Sequence, residues 1–245
     1  MRRIKLTVAY DGTDYCGWQL QPGFPTIEGE LNKALAITEG REINVIGASR
    51  TDSGVHALGN VAVFDSDSTI PAEKYPYVIN RLLPDDIRVM KGEKVPEDFH
   101  PRHCDTRKTY EYTIYVSDIS NPKERLYAYR HYAVLNPDLM NEAAGILKGT
   151  HDFTSFCSAK TDKEDKTRTI YELSVRQEGN KYIIHVEGNG FLYNMVRIIA
   201  GTLLKAGQGE MSAKKVEEAL LGKDRALAGP TLPACGLTLV GITYL

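Results

Sequence analysis

The chain has 245 residues, 42% of them apolar and 25% charged, which are the proportions of an ordinary soluble globular protein with a sizeable core. Its formal net charge of −2 argues against a protein that holds nucleic acid by charge alone. The sequence contains no apolar run of the length that a membrane-spanning helix needs, and the N-terminus continues into a strand-like pattern without the apolar core of a signal peptide.

The first hundred residues alternate between strand-like and helical patterns in the order strand–helix–strand–strand–helix–strand. Strands are predicted over residues 3–10, 44–48, 55–64 and 87–95, and helices over residues 27–35 and 71–82. Thr26 is the predicted N-cap of the first helix, and Pro71 opens the second. This order is that of the split βαβ, or ferredoxin-like, arrangement.

The second half begins near residues 105–107 and repeats this topology with insertions. Strands are predicted over residues 109–116, 126–134, 169–177, 182–187 and 237–244, and helices over residues 139–147, 191–205 and 212–221. Asn136 and Pro137 give the first of these helices a cap, and Gly179-Asn180 forms a hairpin turn. The predicted fold class is α+β: two ferredoxin-like halves, residues 1–105 and 106–245, with mainly antiparallel sheets that form a central cleft.

The four cysteines are too widely spaced to suggest a metal site or a disulfide framework. They are Cys16, Cys104, Cys157 and Cys235, and none belongs to a Cys-x-x-Cys pair. The sequence also lacks the Walker, Gly-x-Gly-x-x-Gly and His-Glu-x-x-His motifs, which mark nucleotide, dinucleotide and zinc sites. We therefore expect a cytoplasmic protein without a metal or a cofactor.

A loop between two apolar runs, residues 47–57, combines charged side chains with small ones. Arg50 and Asp52 alternate with residues too small to fill a core, and the glycines and serines there let the backbone come close to a ligand. Two interpretations of Asp52 are open. Its carboxylate either caps its own backbone in the Thr-Asp-Ser-Gly turn or takes part in chemistry.

Arg197 is the only charged residue in the apolar segment 191–204, which is predicted to be a buried helix. An arginine is rarely buried unless it is paired, because removing one partner of a buried ion pair costs about 3–5 kcal/mol. Arg197 therefore needs an acidic partner from elsewhere in the fold. The alternatives to a catalytic pair are a purely structural ion pair and a guanidinium group that reaches the surface.

Aromatic and basic residues supply further candidates for a nucleic-acid site. Trp18, the only tryptophan, either stacks on a base or anchors its loop on the core. We expect Tyr110 and Tyr112 on opposite faces of one strand, so that one is core and the other sheet surface. A basic cluster is formed by His100, Arg102, His103, Arg107 and Lys108.

Several segments resemble the tRNA pseudouridine synthase A family, in the family's order and over essentially the whole chain. The segments are residues 10–13 (YDGT), 17–19 (GWQ), 50–57 (RTDSGVHA), 149–153 (GTHDF) with Phe156, 188–192 (GNGFL) through 195–197 (MVR), and 235–237 (CGL). One departure is Ser49, where the family more commonly has glycine, and we expect it to require only a local backbone adjustment.

The resemblance implies that the chain converts uridine to pseudouridine at positions 38, 39 and 40 in the anticodon stem-loop of tRNA, as a homodimer without a cofactor or metal. It marks Asp52 as the catalytic residue and implies an ion pair with Arg197 in the cleft, which keeps the carboxylate ionised. It marks Tyr110 as the substrate-binding tyrosine and Leu237 as a pocket residue. For Arg50 three roles are open: it contacts a phosphate, holds the flipped nucleotide, or braces the loop.

Two other functions compete with this one. An RNA-binding module made of two RRM-like folds would carry aromatic RNP runs on its central strands, and the sequence has none. A metal-dependent nuclease or phosphatase would combine Asp52 with Asp65 and Asp67, but these two residues look like turn residues that end a strand. No His–Asp spacing supports a metal site there.

Overall fold

The strand predicted at the start of the chain is β1 (Arg2–Tyr10) in a computed structural model, which describes residues 1–161 and 163–245. Its side chains alternate with the period of two that the sequence predicts. Ile4, Leu6 and Val8 are fully buried, whereas the residues between them are half-buried. This strand lies inside its sheet and has neighbours on both sides.

The contacts within the chain define two units, residues 1–105 with 239–245 and residues 106–238. The other strands of the first unit are β2 (Ile46–Gly47), β3 (His56–Ser66), β4 (Ile87–Val95) and most of β10 (Leu237–Tyr244). Their order is β4-β1-β3-β10, with β2 also paired to β3. The pairs β1–β3, β1–β4 and β2–β3 are all antiparallel.

The helices of the first unit are α1 (Ile27–Glu39) and α2 (Tyr75–Ile79). Thr26 caps α1 as predicted, since its hydroxyl oxygen accepts a hydrogen bond from the amide of Gly29 at 3.2 Å. The second helix is much shorter than predicted. It ends at Ile79, and the side chain of the next residue, Asn80, pairs with both the amide and the carbonyl of Val89 in β4, at 2.8 and 2.9 Å.

Residues 239–245, which the sequence assigned to the second half, belong to the first unit. The ring of Tyr244 lies 5.0 Å from that of Phe99, and its hydroxyl donates to the Pro101 carbonyl at 3.2 Å. The amide of Leu245 donates to the Asp105 carbonyl at 3.1 Å. These contacts lie about 140 residues apart in the sequence, so no local pattern reports them.

The strands of the second unit are β5 (Thr106–Val116), β6 (Tyr129–His131), β7 (Gly149–Asp152), β8 (Thr167–Glu178) and β9 (Lys181–Gly188). They lie in the order β5-β9-β8-β7, with each pair antiparallel, and β6 adds to β5 in parallel. The predicted strand 126–134 is confirmed for three residues only. The four polar and small residues of β7 gave no strand signal.

The helices of the second unit are α3 (Pro137–Leu147), α4 (Met195–Gly207) and α5 (Ala213–Gly222). Asn136 caps α3 as predicted, because its side-chain oxygen accepts from the amides of Asp138 and Leu139. The helix predicted over 191–205 begins only at Met195, because the preceding Asn194 has φ of 61° and cannot belong to a right-handed helix. Helix α3 packs against α4, α5 and β8.

The chain is thus a mixed α+β protein in which strand pairing is mainly antiparallel. In the part of the chain that the structure describes, no helix is both long and apolar enough to cross a membrane.

Candidate functional site

Asp52 lies in the loop between β2 and β3, in a backbone turn that closes on itself. The amide of Val55 donates to the Asp52 carbonyl at 3.1 Å. Asp52 is half-buried, whereas Arg50, two residues earlier, is exposed. The predicted loop of residues 47–57 is therefore present on the first unit, and it carries both Arg50 and Asp52.

A buried hydrogen-bond network holds Ser49 and Thr51, the residues on either side of Arg50. The carboxamide of Asn60 in β3, which is fully buried, donates to the Ser49 carbonyl at 2.9 Å and to the Tyr10 hydroxyl at 3.1 Å. The Tyr10 hydroxyl in turn lies 2.8 Å from the Thr51 hydroxyl. Leaving a buried polar group without its hydrogen-bond partner costs about 1–3 kcal/mol of folding free energy. This network therefore resists movement of the loop.

The loop after β1 packs directly on the Asp52 turn and settles the role of Trp18. The Trp18 side chain is 1% exposed, and its amide donates to the Thr51 carbonyl at 3.0 Å. A Cβ at Gly47 would lie 2.3 Å from Nε1 of the indole, so only glycine leaves room for the ring there. Trp18 therefore anchors its loop on the core and is not exposed for base stacking.

We predict that Gly17→Ala disturbs the Asp52 turn and that Gly23→Ala does not. Both glycines have positive φ, +88° and +81°, so alanine adds a similar backbone strain of about 1–2 kcal/mol at each. A Cβ at Gly17 would lie 2.6 Å from the Thr51 carbonyl oxygen, whereas nothing lies within 4 Å at Gly23. Urea unfolding should therefore show an extra loss of about 1–3 kcal/mol for Gly17→Ala. Equal losses for the two variants would mean that this contact does not support the turn.

One member of the basic cluster lies against the Asp52 loop. The Arg102 Nε donates to the Gly47 carbonyl at 2.7 Å, and burial together with the nearby Arg50 guanidinium lowers the pKa of Arg102. Among residues 1–161 and 163–245, neither arginine has a carboxylate within 4.0 Å. Two like charges near each other favour an anionic ligand.

The rest of the basic cluster divides between two places. The rings of His100 and His103 stack at 3.7 Å, and burial, His103 and Arg102 lower the pKa of His100. Arg107 lies in β5 of the second unit, where it donates to Glu187 at 2.9 Å and covers the ring of Tyr171. Arg107 is therefore part of a solvated sheet surface.

Arg197 occupies the first turn of α4, in the second unit. The helix is buried on nearly every side, as predicted, but Arg197 itself is half-buried. Its Nε donates to the Leu232 carbonyl at 2.7 Å, and its Nη1 donates to the Asn194 side-chain oxygen at 2.8 Å. Two oxygen acceptors of the second unit therefore fix the plane of the guanidinium group.

Tyr110 and Tyr112 lie on the same face of β5, and our expectation of opposite faces was wrong. Residues two apart in a strand share a face, and both side chains are buried. The ring of Tyr110 meets that of Phe191 edge-on, with centroids 5.3 Å apart. The hydroxyl of Tyr112 donates to the Pro233 carbonyl at 2.8 Å, and burial raises the pKa of that hydroxyl.

The segment before β10 packs on Tyr112 and α4. The Leu232 amide donates to the Arg197 carbonyl at 3.3 Å, in addition to the contact that the Leu232 carbonyl makes with the guanidinium. Leu237, the first residue of β10, is 6% exposed. The thiol of Cys235 is half-buried, and this burial raises its pKa. This segment thus supports both the backbone and the guanidinium group of Arg197.

The structure groups the predicted residues within each unit. Arg50 and Asp52 share one loop of the first unit, while Tyr110, Arg197 and Leu237 belong to the second unit. The pairing of Asp52 with Arg197 stays a prediction. Sequence reasoning missed the supporting residues Asn60, Phe191 and Asn194. Of these, Asn60 has a usable signal, since it is a polar residue within the apolar run 55–64.

The carboxylates that a metal-dependent nuclease would need have other partners. Asp65 receives two hydrogen bonds from Arg3, at 2.8 and 2.9 Å, which lower its pKa. Asp67 lies 3.5 Å from the N-terminal ammonium group. In the described part of the chain, no three His, Cys, Asp or Glu residues are grouped so that they could hold a metal ion.

Known proteins resemble this chain over its full length. The family model described as tRNA pseudouridine synthase matches residues 6–103 and 143–245. A protein from Anoxybacillus flavithermus described as tRNA pseudouridine synthase A is 48% identical over 245 residues, which are 100% of this chain and 99% of that protein. Proteins of the same description from Bacillus subtilis and Clostridium acetobutylicum are 48% and 46% identical over 244 residues. The match with the Bacillus subtilis protein includes 99% of this chain and 99% of that protein. The match with the Clostridium acetobutylicum protein includes 100% of both chains.

Proposed function

The chain belongs to the tRNA pseudouridine synthase family, and we propose that it isomerises uridine in tRNA to pseudouridine with Asp52 as its catalytic residue. The observation that carries the proposal is the Asp52 loop. It keeps the family's RTDSGVHA segment, in a chain 48% identical to a relative over its full length. Within it, Ser49 and Thr51 are held by hydrogen bonds with Asn60 and Tyr10. Such support is what a catalytic group needs to keep its geometry.

The proposed reaction breaks the N1–C1′ bond of uridine and forms a C5–C1′ bond in its place. The hydrogen on C5 leaves as a proton and N1 gains a proton, so the reaction is an isomerisation without oxidant, reductant or activated group. The Asp52 carboxylate starts it by one of three routes: it adds to the uracil ring, attacks C1′, or removes a proton from the sugar. Each route requires the base to leave its stack and enter a dry pocket.

We propose that Arg197 pairs with Asp52 and keeps its carboxylate ionised. A neighbouring cation favours the charged form of an acid even where burial opposes it. Support comes from the second unit, where two oxygen acceptors orient the guanidinium group of Arg197. The proposal also includes two ferredoxin-like halves. The antiparallel order β4-β1-β3, with β2 on β3, supports that arrangement for the first of them.

Tyr110 is the proposed contact for the target uracil. Its ring is held edge-on by Phe191 within a buried part of β5, which fixes the direction of its hydroxyl. The ring would stack on the uracil, and the hydroxyl would take the proton that leaves C5. Leu237, buried after the segment that supports Arg197, would supply an apolar wall of the same pocket.

The proposed substrate is the anticodon stem-loop of tRNA at positions 38, 39 and 40, bound by a homodimer. Because the net charge is −2, phosphate binding must depend on local basic residues. Arg50 and Arg102 supply such a site beside the Asp52 loop, where Arg102 is held by the Gly47 carbonyl. We propose that both arginines contact the tRNA backbone.

Replacing Arg102 should weaken tRNA binding without slowing the chemical step. We expect Arg102→Gln to reduce the slope of log Kd against log salt concentration by about 1, since one phosphate contact is lost. The kcat should stay near that of the wild type. Arg41→Gln is the matched control, because Arg41 also donates to a backbone carbonyl but lies 3.8 Å from the carboxylate of Asp67. The same change in slope for both variants would remove Arg102 from the binding site.

The test of the proposed function is tritium release from an unmodified tRNA transcript labelled at C5 of its uridines. We expect release in the presence of EDTA, with the transcript left intact. Strand cleavage that EDTA abolishes would instead support a metal-dependent nuclease. Tight binding without release or cleavage would support an RNA-binding module. Mapping the released label in transcripts that lack single uridines would test positions 38, 39 and 40.

A further inference from the structure

Asn194, the residue before helix α4, differs from the other N-cap residues of long helices in this chain. Thr26, Asn136 and Ser212 have extended backbones, and the side chain of each accepts a hydrogen bond from a helix amide. Asn194 instead has φ of 61° and ψ of 6°, and its side chain makes no capping bond. Its side-chain oxygen accepts from the Arg197 Nη1 at 2.8 Å.

The position of Arg197 makes this exchange unfavourable for the helix alone. Arg197 is the third residue of α4, where the amide groups of the first turn already carry partial positive charge. A cation at this position interacts unfavourably with the helix dipole. The Asn194 side-chain oxygen, which could have capped the helix amides, instead accepts a hydrogen bond from that cation. The arrangement therefore has a cost in stability that capping by Thr26, Asn136 or Ser212 does not have.

We propose that Asn194 is a positioning residue, which adopts a left-handed backbone so that its side chain can aim the guanidinium group of Arg197. With the Leu232 carbonyl on Nε and the Asn194 oxygen on Nη1, two different nitrogens of the guanidinium are each held by an acceptor. This inference rests on the proposed function, because the orientation of Arg197 affects the reaction only if Arg197 acts on the Asp52 carboxylate.

The test is the Asn194→Gly variant, which separates stability from activity. Glycine accepts positive φ without strain but has no side chain to hold Arg197. We expect kcat on tRNA to fall by about 10- to 100-fold, since a small misplacement of a catalytic group has an effect of that order. The Tm should not fall, and KM for tRNA should change by less than about threefold.

Lys223→Gly is the matched control for the change in backbone. Lys223 is the other non-glycine residue with positive φ among the described residues, at 50°, and it follows α5. Its ammonium group pairs with Asp152 at 2.8 Å on an exposed surface. We expect this variant to keep wild-type kcat. Asn194→Asp retains an oxygen acceptor at a position where aspartate tolerates left-handed dihedrals, and it should restore most of the activity that Asn194→Gly loses.

The outcomes distinguish this inference from the proposed function. If Arg197→Met is inactive while Asn194→Gly has full kcat, Asn194 does not position Arg197. If Asn194→Gly loses Tm together with activity, Asn194 is a structural residue and the inference is wrong. If Arg197→Met is itself fully active, the proposed role of Arg197 fails first. Equal loss in the Gly and Asp variants would show that the side-chain oxygen is not the feature that matters.

Discussion

The Asp52→Ala variant should lose turnover on tRNA while it still binds tRNA. Removing the only proposed catalytic carboxylate should lower kcat by at least about 10²- to 10⁴-fold, which is the usual contribution of a positioned acid, base or nucleophile. Affinity should stay within about threefold of wild type, because phosphate contacts supply most of the binding energy in nucleic-acid complexes. Single-turnover tritium release and filter binding measure the two quantities separately.

Two further variants separate chemistry from structure at this position. Asp52→Asn keeps the shape of the side chain and removes its charge, so we expect the same loss of activity with an unchanged Tm. Asp14→Ala removes an exposed carboxylate from the adjoining loop and should leave kcat unchanged. Turnover of Asp52→Ala at a near-normal rate would show that the catalytic group lies elsewhere in the chain.

The elements that the sequence predicted best are those with short-range signals. The predicted caps Thr26 and Asn136 each accept a hydrogen bond from an amide within three residues, so the residue type alone locates the helix start. The alternation of β1 reports burial on one face in the same local way. The loop of residues 47–57 was also predicted from a local signal, because small residues lie there between two apolar runs.

The features that the sequence did not predict depend on contacts between distant residues. Arg102 reaches the Gly47 carbonyl across 55 positions, and the Tyr244 hydroxyl reaches Pro101 across 143. The early end of α2 likewise depends on the pairing of Asn80 with Val89 in the next strand. Tertiary contacts of this kind override local propensity, and they are invisible to a reading of neighbouring residues.

Only some properties of Arg197 could be predicted from the apolar segment around it. The isolation of one charge in an apolar segment predicted that Arg197 needs an acidic partner from elsewhere in the fold, and that pairing stays a prediction. The structure shows two neutral acceptors for Arg197, the Asn194 side-chain oxygen and the Leu232 carbonyl. The sequence did not predict that the helix starts at Met195, since this follows from the left-handed backbone of Asn194. That start changes Arg197 from a mid-helix residue into a first-turn residue, half-buried and oriented by its neighbours.

The second large effect is expected from Arg197→Met. Loss of the cation should reduce kcat by at least about 10²-fold, an effect of the size seen when one preorganised electrostatic group is removed from an active site. Stability should change less. The Leu232 carbonyl loses a donor, at about 1–3 kcal/mol, while removal of a cation from the first turn of α4 returns about 0.3–1 kcal/mol. The Arg197→Lys variant should also be impaired, because an ammonium group cannot occupy both acceptors with the geometry of a guanidinium.

A double variant tests whether Arg197 acts through Asp52. If the two residues form one functional pair, Asp52→Asn combined with Arg197→Met should be no slower than Asp52→Asn alone, since the arginine has no ionised carboxylate left to stabilise. Independent roles would instead multiply the two losses. Single-turnover rates of the wild type, both single variants and the double variant give the coupling directly. A multiplicative result would separate the two residues even if each is essential, and a fully active Arg197→Met would leave the ion pair without a function.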